Sequence, residues 1–486
     1  MITVTAREVS EASGGELLSG SPGAAVDCVS TDTRTDLEGC LFVALKGEHF
    51  DGGDFAGEAL AKGAAAVLAQ RAAARQIAAS LPQSGNGNTP WVVAVEDPGD
   101  ALKKIASLVA GKSQARIVAI TGSTGKTSTK DMLYALLSPQ VGAIASEASF
   151  NNEVGVPLTL LKLRPETRVA VVEMGMQAPG EIAGLCDIAA PEIAVITNIG
   201  PAHLAYSGSL ANIARGKAEI ARRLPPHGSL VAPHGEDLLE PFIADIPARI
   251  ITFGLDRDAD IHPLFHRHRP EGGIHCRISC LHGEIDVNLP FAAHHHLLNF
   301  LAALGAYSLL GLPLTEIAAA AEKISIPGMR GEVIRLGNDV TLLNDCYNAN
   351  PLSMGSSLEY LATVAQGRRT LAVLGDMDEL GAAAPAYHRQ VGRRAAALGI
   401  DCVIGVGELA ARYLEGARQD GYCAEEESCY HFASRELAAA EVPSLIRPGD
   451  VVLVKASRFM KLEEVSDAII AAGGEAIAGS SFPAQG

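Results

Sequence analysis

The sequence is poor in aromatic residues and in positive charge. Phe, Trp and Tyr make up 5% of its 486 residues, and 39 Lys and Arg stand against 56 Asp and Glu, for a formal net charge of −17. Nucleic-acid surfaces need clustered basic side chains, and single-strand binding adds aromatic platforms for the bases. The composition therefore argues against a nucleic-acid partner.

Long apolar runs and closely paired cysteines are missing as well. No run reaches the ~18 residues that suggest a membrane-spanning helix, and the N-terminus carries Glu8, Glu11 and Glu16 instead of a signal-peptide core. We therefore expect no transmembrane segment and a cytoplasmic location. The nine cysteines include no CxxC pair, so we expect reduced, mostly buried thiols.

What the chain does have is a glycine-rich loop at residues 121–127, Thr-Gly-Ser-Thr-Gly-Lys-Thr. The apolar run 115–120 before it predicts a buried strand, and residues 128–137 after it carry apolar side chains at helical spacing. Backbone N–H groups of such a loop and the N-terminus of the following helix both attract anions. The stretch therefore predicts a phosphate-binding site.

Two residues of this loop have expected roles. Lys126 reaches the terminal phosphates of a nucleotide, and the Thr127 hydroxyl ligates Mg²⁺. The usual spacing is not met, however, because only two residues separate Gly122 from Gly125. An ordinary strand-to-helix turn rich in small residues is the alternative.

The whole chain predicts an α/β protein with about three domains. Residues 1–97 form a small α/β unit, residues 98–326 a central parallel sheet with the glycine loop, and residues 327–486 a Rossmann-like α/β sheet. Short apolar runs alternate with helical segments, which is typical of parallel sheets covered by helices. Polar clusters at 31–34 and 51–53 have the composition of turns.

Polar side chains follow three strands of the predicted central sheet. The glycine loop follows the first strand, Glu173 ends the second, and Asn198 and His203 follow the third. Ligands of parallel α/β sheets bind beyond the carboxyl ends of the strands, and a hard cation that bridges phosphates prefers oxygen ligands. We therefore predict a site for a nucleotide and a divalent cation at this edge.

Other candidate sites have simpler interpretations. Lys217 lies in a predicted helix, 209–224, where a lysine usually faces solvent. The histidines between 250 and 290 do not have the spacing of a zinc site and favour a solvated β insertion. Residues 405–410 fit the pattern GxGxxA but follow a late strand of their segment, which disfavours a dinucleotide site.

Taken together, the motifs resemble those of the Mur ligases, the ATP-dependent amide-forming enzymes of peptidoglycan precursor synthesis. The short glycine loop is the form that this family uses, and the central-domain motifs follow in the family's order at 151–157, 173–175 and 198–203. Residues 345–351, Asp-Cys-Tyr-Asn-Ala-Asn-Pro, and 375–381, Gly-Asp-Met-Asp-Glu-Leu-Gly, are similar to the branch that adds D-alanyl-D-alanine.

The resemblance implies a reaction and its cofactors. ATP phosphorylates the free carboxylate of UDP-N-acetylmuramoyl-tripeptide, the amine of D-alanyl-D-alanine attacks the acyl phosphate, and phosphate leaves. A pair of Mg²⁺ ions and a carbamylated Lys217 are implied, and we expect a monomer with small-molecule substrates. A sister ligase that adds another amino acid, a folylpolyglutamate synthase-like ligase and a nucleotide-binding regulatory protein are the alternatives. The third residue of the tripeptide, diaminopimelate or lysine, stays open.

The resemblance also implies roles for individual residues. The catalytic residues are Lys126, Lys217, His203 and Arg330, and the metal ligands are Thr127, Glu173, His203 and Lys217. The nucleotide contacts are Gly122, Ser123, Thr124, Gly125, Lys126, Thr127, Ser128, His295, Asn299, Arg330 and Asp345. The substrate contacts are Thr31, Asp32, Thr33, Arg34, Asp51, Asn151, Asn152, Tyr347, Asn348, Asn350, Lys455, Ser457 and Arg458. Because several of these belong to the third segment, we expect that domain to close over the site.

Overall fold

The computed structural model describes residues 1–47, 50–81, 89–269, 272–326, 328–419 and 428–473. Three larger sheets with helices on their faces follow one another along the chain, which confirms the predicted α/β class. They occur in the order of the three predicted domains, whose limits stay a prediction. The boundary at 327 and most of a loop that composition predicts at 84–90 lie outside the described residues.

The N-terminal part forms a five-stranded sheet in the order β2-β7-β6-β5-β4, in which only β2 runs antiparallel to its neighbour. Thr5 and Glu8 form a reciprocal capping box that fixes the start of the first helix. The elements of the N-terminal part are β1 (Val4–Thr5), α1 (Ala6–Ser13), β2 (Glu16–Ser19), β3 (Ala25–Val26), β4 (Val29–Ser30), β5 (Leu41–Val43), α2 (Ala56–Ala61), β6 (Ala66–Gln70), α3 (Arg71–Ser80) and β7 (Trp91–Val95).

Two of the cysteines in this part are not the reduced thiols that we expected. Cys28 and Cys40 form a disulfide, and Cys429, in the last domain, is also disulfide-bonded. The sequence prediction was wrong for the first pair because these cysteines directly precede β4 and β5, and only the pairing of those strands brings them together. The free thiols of the described residues are buried, as expected, at Cys186, Cys276, Cys280, Cys346 and Cys402.

The central part is a fully parallel six-stranded sheet in the order β13-β12-β11-β8-β10-β9. Its elements are α4 (Pro98–Lys112), β8 (Arg116–Thr121), α5 (Lys126–Leu137), β9 (Ala143–Ala145), α6 (Gly155–Leu160), β10 (Val169–Glu173), α7 (Glu181–Ala189), β11 (Ile193–Ile196), α8 (Leu204–Ser207), α9 (Leu210–Arg222), β12 (Ser229–Pro233), α10 (Glu240–Ile243) and β13 (Arg249–Phe253). The strands that carry the predicted site, β8, β10 and β11, are neighbours at its centre.

The histidine-rich stretch forms a separate antiparallel sheet of β14 (His262–His268), β15 (Ile274–Cys280) and β16 (Gly283–Leu289). Our expectation of a β insertion was right, but the sheet is solvated on one face only. Ile274, Cys276 and Ile278 alternate along β15 and are buried in a core shared with the helix α11 (His294–Leu309). The short helix α12 (Ile317–Ala321) follows.

The C-terminal part is a second six-stranded sheet in the order β17-β18-β22-β19-β20-β21, in which only β17 is antiparallel to its neighbour. Its elements are β17 (Glu332–Arg335), β18 (Thr341–Asn344), α13 (Pro351–Ala365), β19 (Thr370–Gly375), α14 (Ala384–Ala397), β20 (Cys402–Val406), α15 (Ala411–Gln419), β21 (Cys429–Phe432), α16 (Arg435–Leu445), β22 (Val451–Lys455) and α17 (Glu463–Gly473).

The central sheet is buried on both faces. Along β8, Val118 and Ile120 belong to one core, while Ile117 and Ala119 belong to another. This alternation follows from the two-residue period of a strand and explains why β8 reads as an unbroken apolar run in the sequence. Among the described helices, none is long and apolar enough to cross a membrane.

The GxGxxA loop after β20 binds an acidic side chain of the protein itself. The Asp376 carboxylate accepts hydrogen bonds from the backbone N–H groups of Leu409 at 3.2 Å and Ala410 at 2.6 Å. A Cβ on Gly407, which has a φ of +112°, would lie 2.7 Å from this carboxylate. Burial raises the pKa of Asp376. The carboxylate thus takes the place that a dinucleotide phosphate takes in a Rossmann fold.

Replacement of this carboxylate should destabilise the C-terminal sheet. Asp376→Ala leaves the N–H groups of Leu409 and Ala410 without their acceptor, which costs about 1–3 kcal/mol. The measurement is the urea-unfolding midpoint. Glu408→Ala removes an exposed carboxylate from the same loop and should leave the midpoint unchanged, and equal midpoints for both variants would contradict the prediction.

Candidate active site

The glycine-rich loop joins β8 to α5, as the sequence predicts, and its glycines are required by close neighbours. A Cβ on Gly122 would lie 1.8 Å from Thr197 Oγ1, and a Cβ on Gly125 would lie 2.2 Å from Asn299 Oδ1. Both glycines have positive φ, +151° and +77°, a conformation that side chains disfavour. The loop can therefore take this path only with glycine at both positions.

The segment after β11 fixes the loop from the other side. Ser123 Oγ donates to Gly200 O at 2.8 Å, and the backbone N–H of Thr124 donates to Asn198 Oδ1 at 3.0 Å. Thr197 Oγ1 donates to Thr124 O at 2.5 Å. The ends of neighbouring strands thus hold the loop open toward the edge where parallel sheets bind ligands.

Two lysine ammonium groups converge on one carbonyl of this loop. Lys126 Nζ donates to Gly122 O at 2.8 Å, and Lys217 Nζ donates to the same oxygen at 2.9 Å. Lys217 is 1% exposed, so the expected solvent-facing position is wrong. The cause is the face of α9 on which it lies, because Ile213, one turn earlier on that face, is buried as well.

This convergence changes the titration of both lysines. Burial, and then the positive charge of Lys126, hold the pKa of Lys217 well below its usual value. Burial also lowers the pKa of Lys126, an effect that the Glu173 carboxylate opposes and the Arg330 guanidinium reinforces. Burial and the neighbouring positive charge thus both disfavour the ammonium form of Lys217.

Oxygen ligands for a cation lie beside these lysines. Glu173, at the end of β10, is 1% exposed; its Oε1 accepts a hydrogen bond from Asn151 at 2.8 Å, while its buried Oε2 has no partner. Thr127 lies in the first turn of α5 and is buried. No group of three or more His, Cys, Asp or Glu side chains suited to a metal occurs in the described part of the chain. This donor set fits Mg²⁺, which binds few protein ligands besides phosphates and waters.

The C-terminal domain contributes Arg330 and Tyr347 to the same space. The Arg330 guanidinium lies 3.8 Å from the centre of the Tyr347 ring, and Arg330 Nη2 donates to Ser149 Oγ at 3.2 Å. The Tyr347 hydroxyl is 2.9 Å from Ser149 Oγ. A positive charge from one domain is therefore held at the glycine loop by a serine of the other.

A second charged pair stands behind this arginine. Lys455, at the end of β22, is 2% exposed; its Nζ lies 2.7 Å from Asp345 Oδ2 and donates to Asn348 O at 3.1 Å. Ser357 Oγ also donates to Asp345 Oδ2, at 2.6 Å. Lys455 therefore fixes the start of the 345–351 segment. Burial, and then the charge of Lys455, lower the pKa of His295 to about 3.

A cavity of about 440 Å³ connects these groups. The predicted residues that line it are Ser123, Thr124, Gly125, Lys126, Thr127, Ser128, Asn151, Glu173, His203, His295, Asn299, Arg330, Asp345, Tyr347, Asn348, Asn350 and Lys455. Gly122 and Lys217 lie just behind the loop. A second cavity of about 1160 Å³ shares Lys126, Asn151 and His203 with the first and continues between α4 and α7.

Some predicted substrate contacts have other partners in the structure. Asn350 caps α13 by accepting from Ser353 N at 2.9 Å, and Asn152 accepts from Gly155 N at the start of α6. Ser457 accepts from Asp378 N, and Arg458 pairs with Glu463. Among the described residues, Thr31, Asp32, Thr33, Arg34 and Asp51 line neither cavity.

The local contacts of this N-terminal group are those of turns. Asp32 binds Arg34 through a two-oxygen contact with its guanidinium, and Asp51 Oδ1 accepts from Gly53 N at 2.9 Å. The Thr33 carbonyl accepts from Lys62 Nζ. These contacts agree with the turn composition, and a substrate role for the group stays a prediction.

Sequence reasoning missed a buried lysine behind the site. Lys130 Nζ, 2% exposed, donates to Ser146 O at 2.8 Å and Ala148 O at 2.9 Å. It thereby holds the loop that carries Ser149 and Asn151, in which Ala148 has a φ of +45°. Its place one turn after Lys126 on α5, among apolar positions, was the available signal.

Comparison with known proteins identifies the family of the chain. Residues 25–109 match the Mur ligase family catalytic domain, residues 120–307 the Mur ligase middle domain, and residues 329–458 the Mur ligase, glutamate ligase domain. Over 96% of its length, the chain is 36% identical to UDP-N-acetylmuramoyl-tripeptide–D-alanyl-D-alanine ligase of Escherichia coli, of which 99% is covered. The chain belongs to the Mur ligase family.

Solved structures also resemble this Mur ligase. A crystal structure of MurF from Acinetobacter baumannii superposes with a TM-score of 0.84 at 29% identity, covering 96% of this chain and 99% of the other. MurF of Thermotoga maritima in complex with ADP gives a TM-score of 0.77 at 28% identity, over 92% and 97% of the two chains. The similarity therefore includes all three sheets.

Loss of the loop lysine should abolish nucleotide-dependent activity in this Mur ligase. We expect Lys126 to contact the terminal phosphates of ATP, and loss of a contact that strengthens in the transition state commonly costs ~10²–10³ in rate. The measurement is ATP-dependent amide formation at saturating ATP. Lys323→Ala removes an exposed lysine and serves as the control. A Lys126→Ala rate within threefold of wild type would contradict the prediction that this loop binds the phosphates of ATP.

Proposed function

We propose that this Mur ligase joins the carboxylate of UDP-N-acetylmuramoyl-tripeptide to the amine of D-alanyl-D-alanine at the expense of ATP. One observation carries the proposal: the 440 Å³ cavity is lined by the glycine loop on one side and by residues of the 345–351 segment on the other. Relatives with similar sequences over nearly the whole chain bear the name of that reaction.

The main physical difficulty of this reaction is charge, because an anionic carboxylate must approach an anionic phosphoryl group. Cations and N–H donors that are fixed before the reaction lower this barrier. Lys126 and the loop amides hold the terminal phosphates, and Arg330 reaches them from the C-terminal domain. Tyr347 and Ser149 keep the Arg330 guanidinium in place, so little reorganisation is needed when charge shifts.

Mg²⁺ fits the oxygen atoms beside the loop. Thr127 and Glu173 would hold one ion, for which the unpartnered Glu173 Oε2 is the clearest sign, and His203 would hold a second. When bound, such ions neutralise phosphate charge and polarise the transferred group. Asn151 orients Glu173 from behind.

Carbamylation of Lys217 is the second part of the proposal about cofactors. A carbamate forms from CO₂ and an uncharged amine, and burial beside Lys126 favours that uncharged form by lowering the pKa of Lys217. The reaction forms an N–C bond between the Lys217 amine and CO₂, releases one proton, and leaves a carbamate anion beside Lys126. Lys126 and the nearby cation site would then attract the group that they now repel.

The substrates extend away from the phosphates in different directions. The 1160 Å³ cavity, which reaches Ala12 of the N-terminal domain, suits the muramoyl peptide, and residues 31–34 and Asp51, which lie outside this cavity, would contact the UDP end of the same substrate. Asn348 and Tyr347 would contact the dipeptide, and Asn299, His295 and Asp345 the adenosine. The monomeric state and the cytoplasmic location stay predictions of the sequence.

Phosphate release in a substrate panel tests the function. Release from ATP should need both the UDP-linked tripeptide and D-alanyl-D-alanine, because the acyl phosphate turns over only when an amine attacks it. Tripeptides with diaminopimelate or lysine at position three reveal the preferred substrate. Release with a single amino acid in place of the dipeptide would favour a sister ligase, and binding of ATP without release under any condition would favour a regulatory protein.

Chemical rescue tests the carbamate. Lys217→Ala should lose activity and regain part of it when a short carboxylic acid such as acetate is added, because the acid restores an anionic oxygen ligand. Lys217→Arg should stay inactive, since a guanidinium keeps its charge and forms no carbamate. The matched control is methylamine, which restores only the ammonium. Rescue by methylamine, or full activity of Lys217→Arg, would contradict the carbamate.

A further inference from the structure

His203, which the proposed function assigns to a cation, contacts a carboxylate of the C-terminal domain at the rim of the site. His203 Nδ1 lies 2.5 Å from Glu379 Oε2. His203 follows β11 in the central domain, whereas Glu379 lies between β19 and α14 in the C-terminal domain. Their side chains are 29% and 28% exposed, so water competes only partly for the contact.

Both residues have a backbone conformation that is unusual for their side chains. His203 has a φ of +57° and Glu379 a φ of +59°, in the left-handed region that costs non-glycine residues about 1–2 kcal/mol. Such conformations persist when their surroundings fix them, and they cluster at functional sites. The two side chains thus meet at a contact that the local backbone does not favour by itself.

The Glu379 segment is anchored in both domains. Its backbone carbonyl accepts from Ala205 N at 2.8 Å, just after His203. Its backbone N–H donates to Asp378 Oδ1, and Asp378 N donates to Ser457 Oγ at 2.9 Å. The position of the carboxylate at His203 therefore depends on how the C-terminal domain docks on the central one.

We infer that Glu379 is a positioning residue that holds the His203 ring through Nδ1, so that Nε2 is free to bind a cation in the cavity. A ligating histidine usually donates its other ring N–H to a carboxylate, which fixes both tautomer and orientation. His203 lines both cavities, so its remaining nitrogen has access to the site.

This inference rests on the proposed function, in which His203 binds a cation, and adds a dependence on domain position. When the C-terminal domain moves away, His203 loses its carboxylate and with it the fixed tautomer. The cation ligand is therefore complete only while Arg330, from the same domain, is also docked on Ser149 of the central domain. Cation binding and domain docking thus favour each other.

The first test measures Mn²⁺ affinity in the presence of a non-hydrolysable ATP analogue, by electron paramagnetic resonance. Glu379→Gln and Glu379→Gly should weaken the Mn²⁺ site by about 10-fold or more. Glu359→Gln is the matched control, because it removes an ion pair with Arg394 on the surface of the same domain and should leave the affinity unchanged. Wild-type affinity in both Glu379 variants would overturn the inference.

The glycine variant separates positioning from stability. Glycine suits the left-handed backbone at position 379, so Glu379→Gly should melt at or above the wild-type temperature while it loses Mn²⁺ affinity. In a double mutant with His203→Ala, Glu379→Gly should cause no further loss, since it acts through that ring. Additive losses would show that Glu379 acts elsewhere and would overturn the inference.

The tautomer of His203 can be measured without a bound metal and without an activity assay. In ¹⁵N spectra of histidine-labelled full-length enzyme, the His203 resonances should show a protonated Nδ1 and shift toward the other tautomer in Glu379→Gly. An unchanged tautomer overturns the inference. A shifted tautomer in an enzyme that fails the phosphate-release test overturns the proposed function alone.

Discussion

The site depends on the carbonyl oxygen of Gly122, to which two buried ammonium groups donate. The positive charges of Lys126 and Lys217 repel each other at this distance, and this repulsion adds to burial in lowering the pKa of Lys217. Phosphates of a bound nucleotide, or a carbamate on Lys217, would supply negative charge and relieve this repulsion. The N–H groups of the glycine loop and the guanidinium of Arg330 call for anions, whereas the unpartnered oxygen of Glu173 calls for a cation. The free site is thus built for ligands that bring negative charge with them.

The order of motifs along the chain made it possible to predict that the site lies at the carboxyl edge of the central sheet. Because parallel strands present their carboxyl ends together, the glycine loop, Glu173 and His203 had to lie close to one another. Asn198 also does what its position suggests, by binding the loop. Residues from the third segment, such as Arg330 and Lys455, could be assigned only through the family resemblance, since no local pattern joins them to the loop.

Other features lay beyond the sequence for physical reasons. The burial of Lys217 depends on which face of α9 packs inward, and a single lysine among mixed residues does not reveal that face. The Cys28–Cys40 disulfide depends on strand pairing, and the contact of His203 with Glu379 depends on the docking of two domains. Asn350 matched a motif, yet its side chain caps a helix. Each of these features is determined by tertiary packing, about which short sequence patterns carry no information.

The glycine loop has a consequence for drug resistance. At Gly122 and Gly125 the nearest atoms leave no space for even a methyl group. An inhibitor that binds the backbone N–H groups of this loop would touch atoms that every variant must keep. A side chain at either glycine would displace Thr197 or Asn299, so we expect variants that escape such a compound to arise at other residues of the cavity lining.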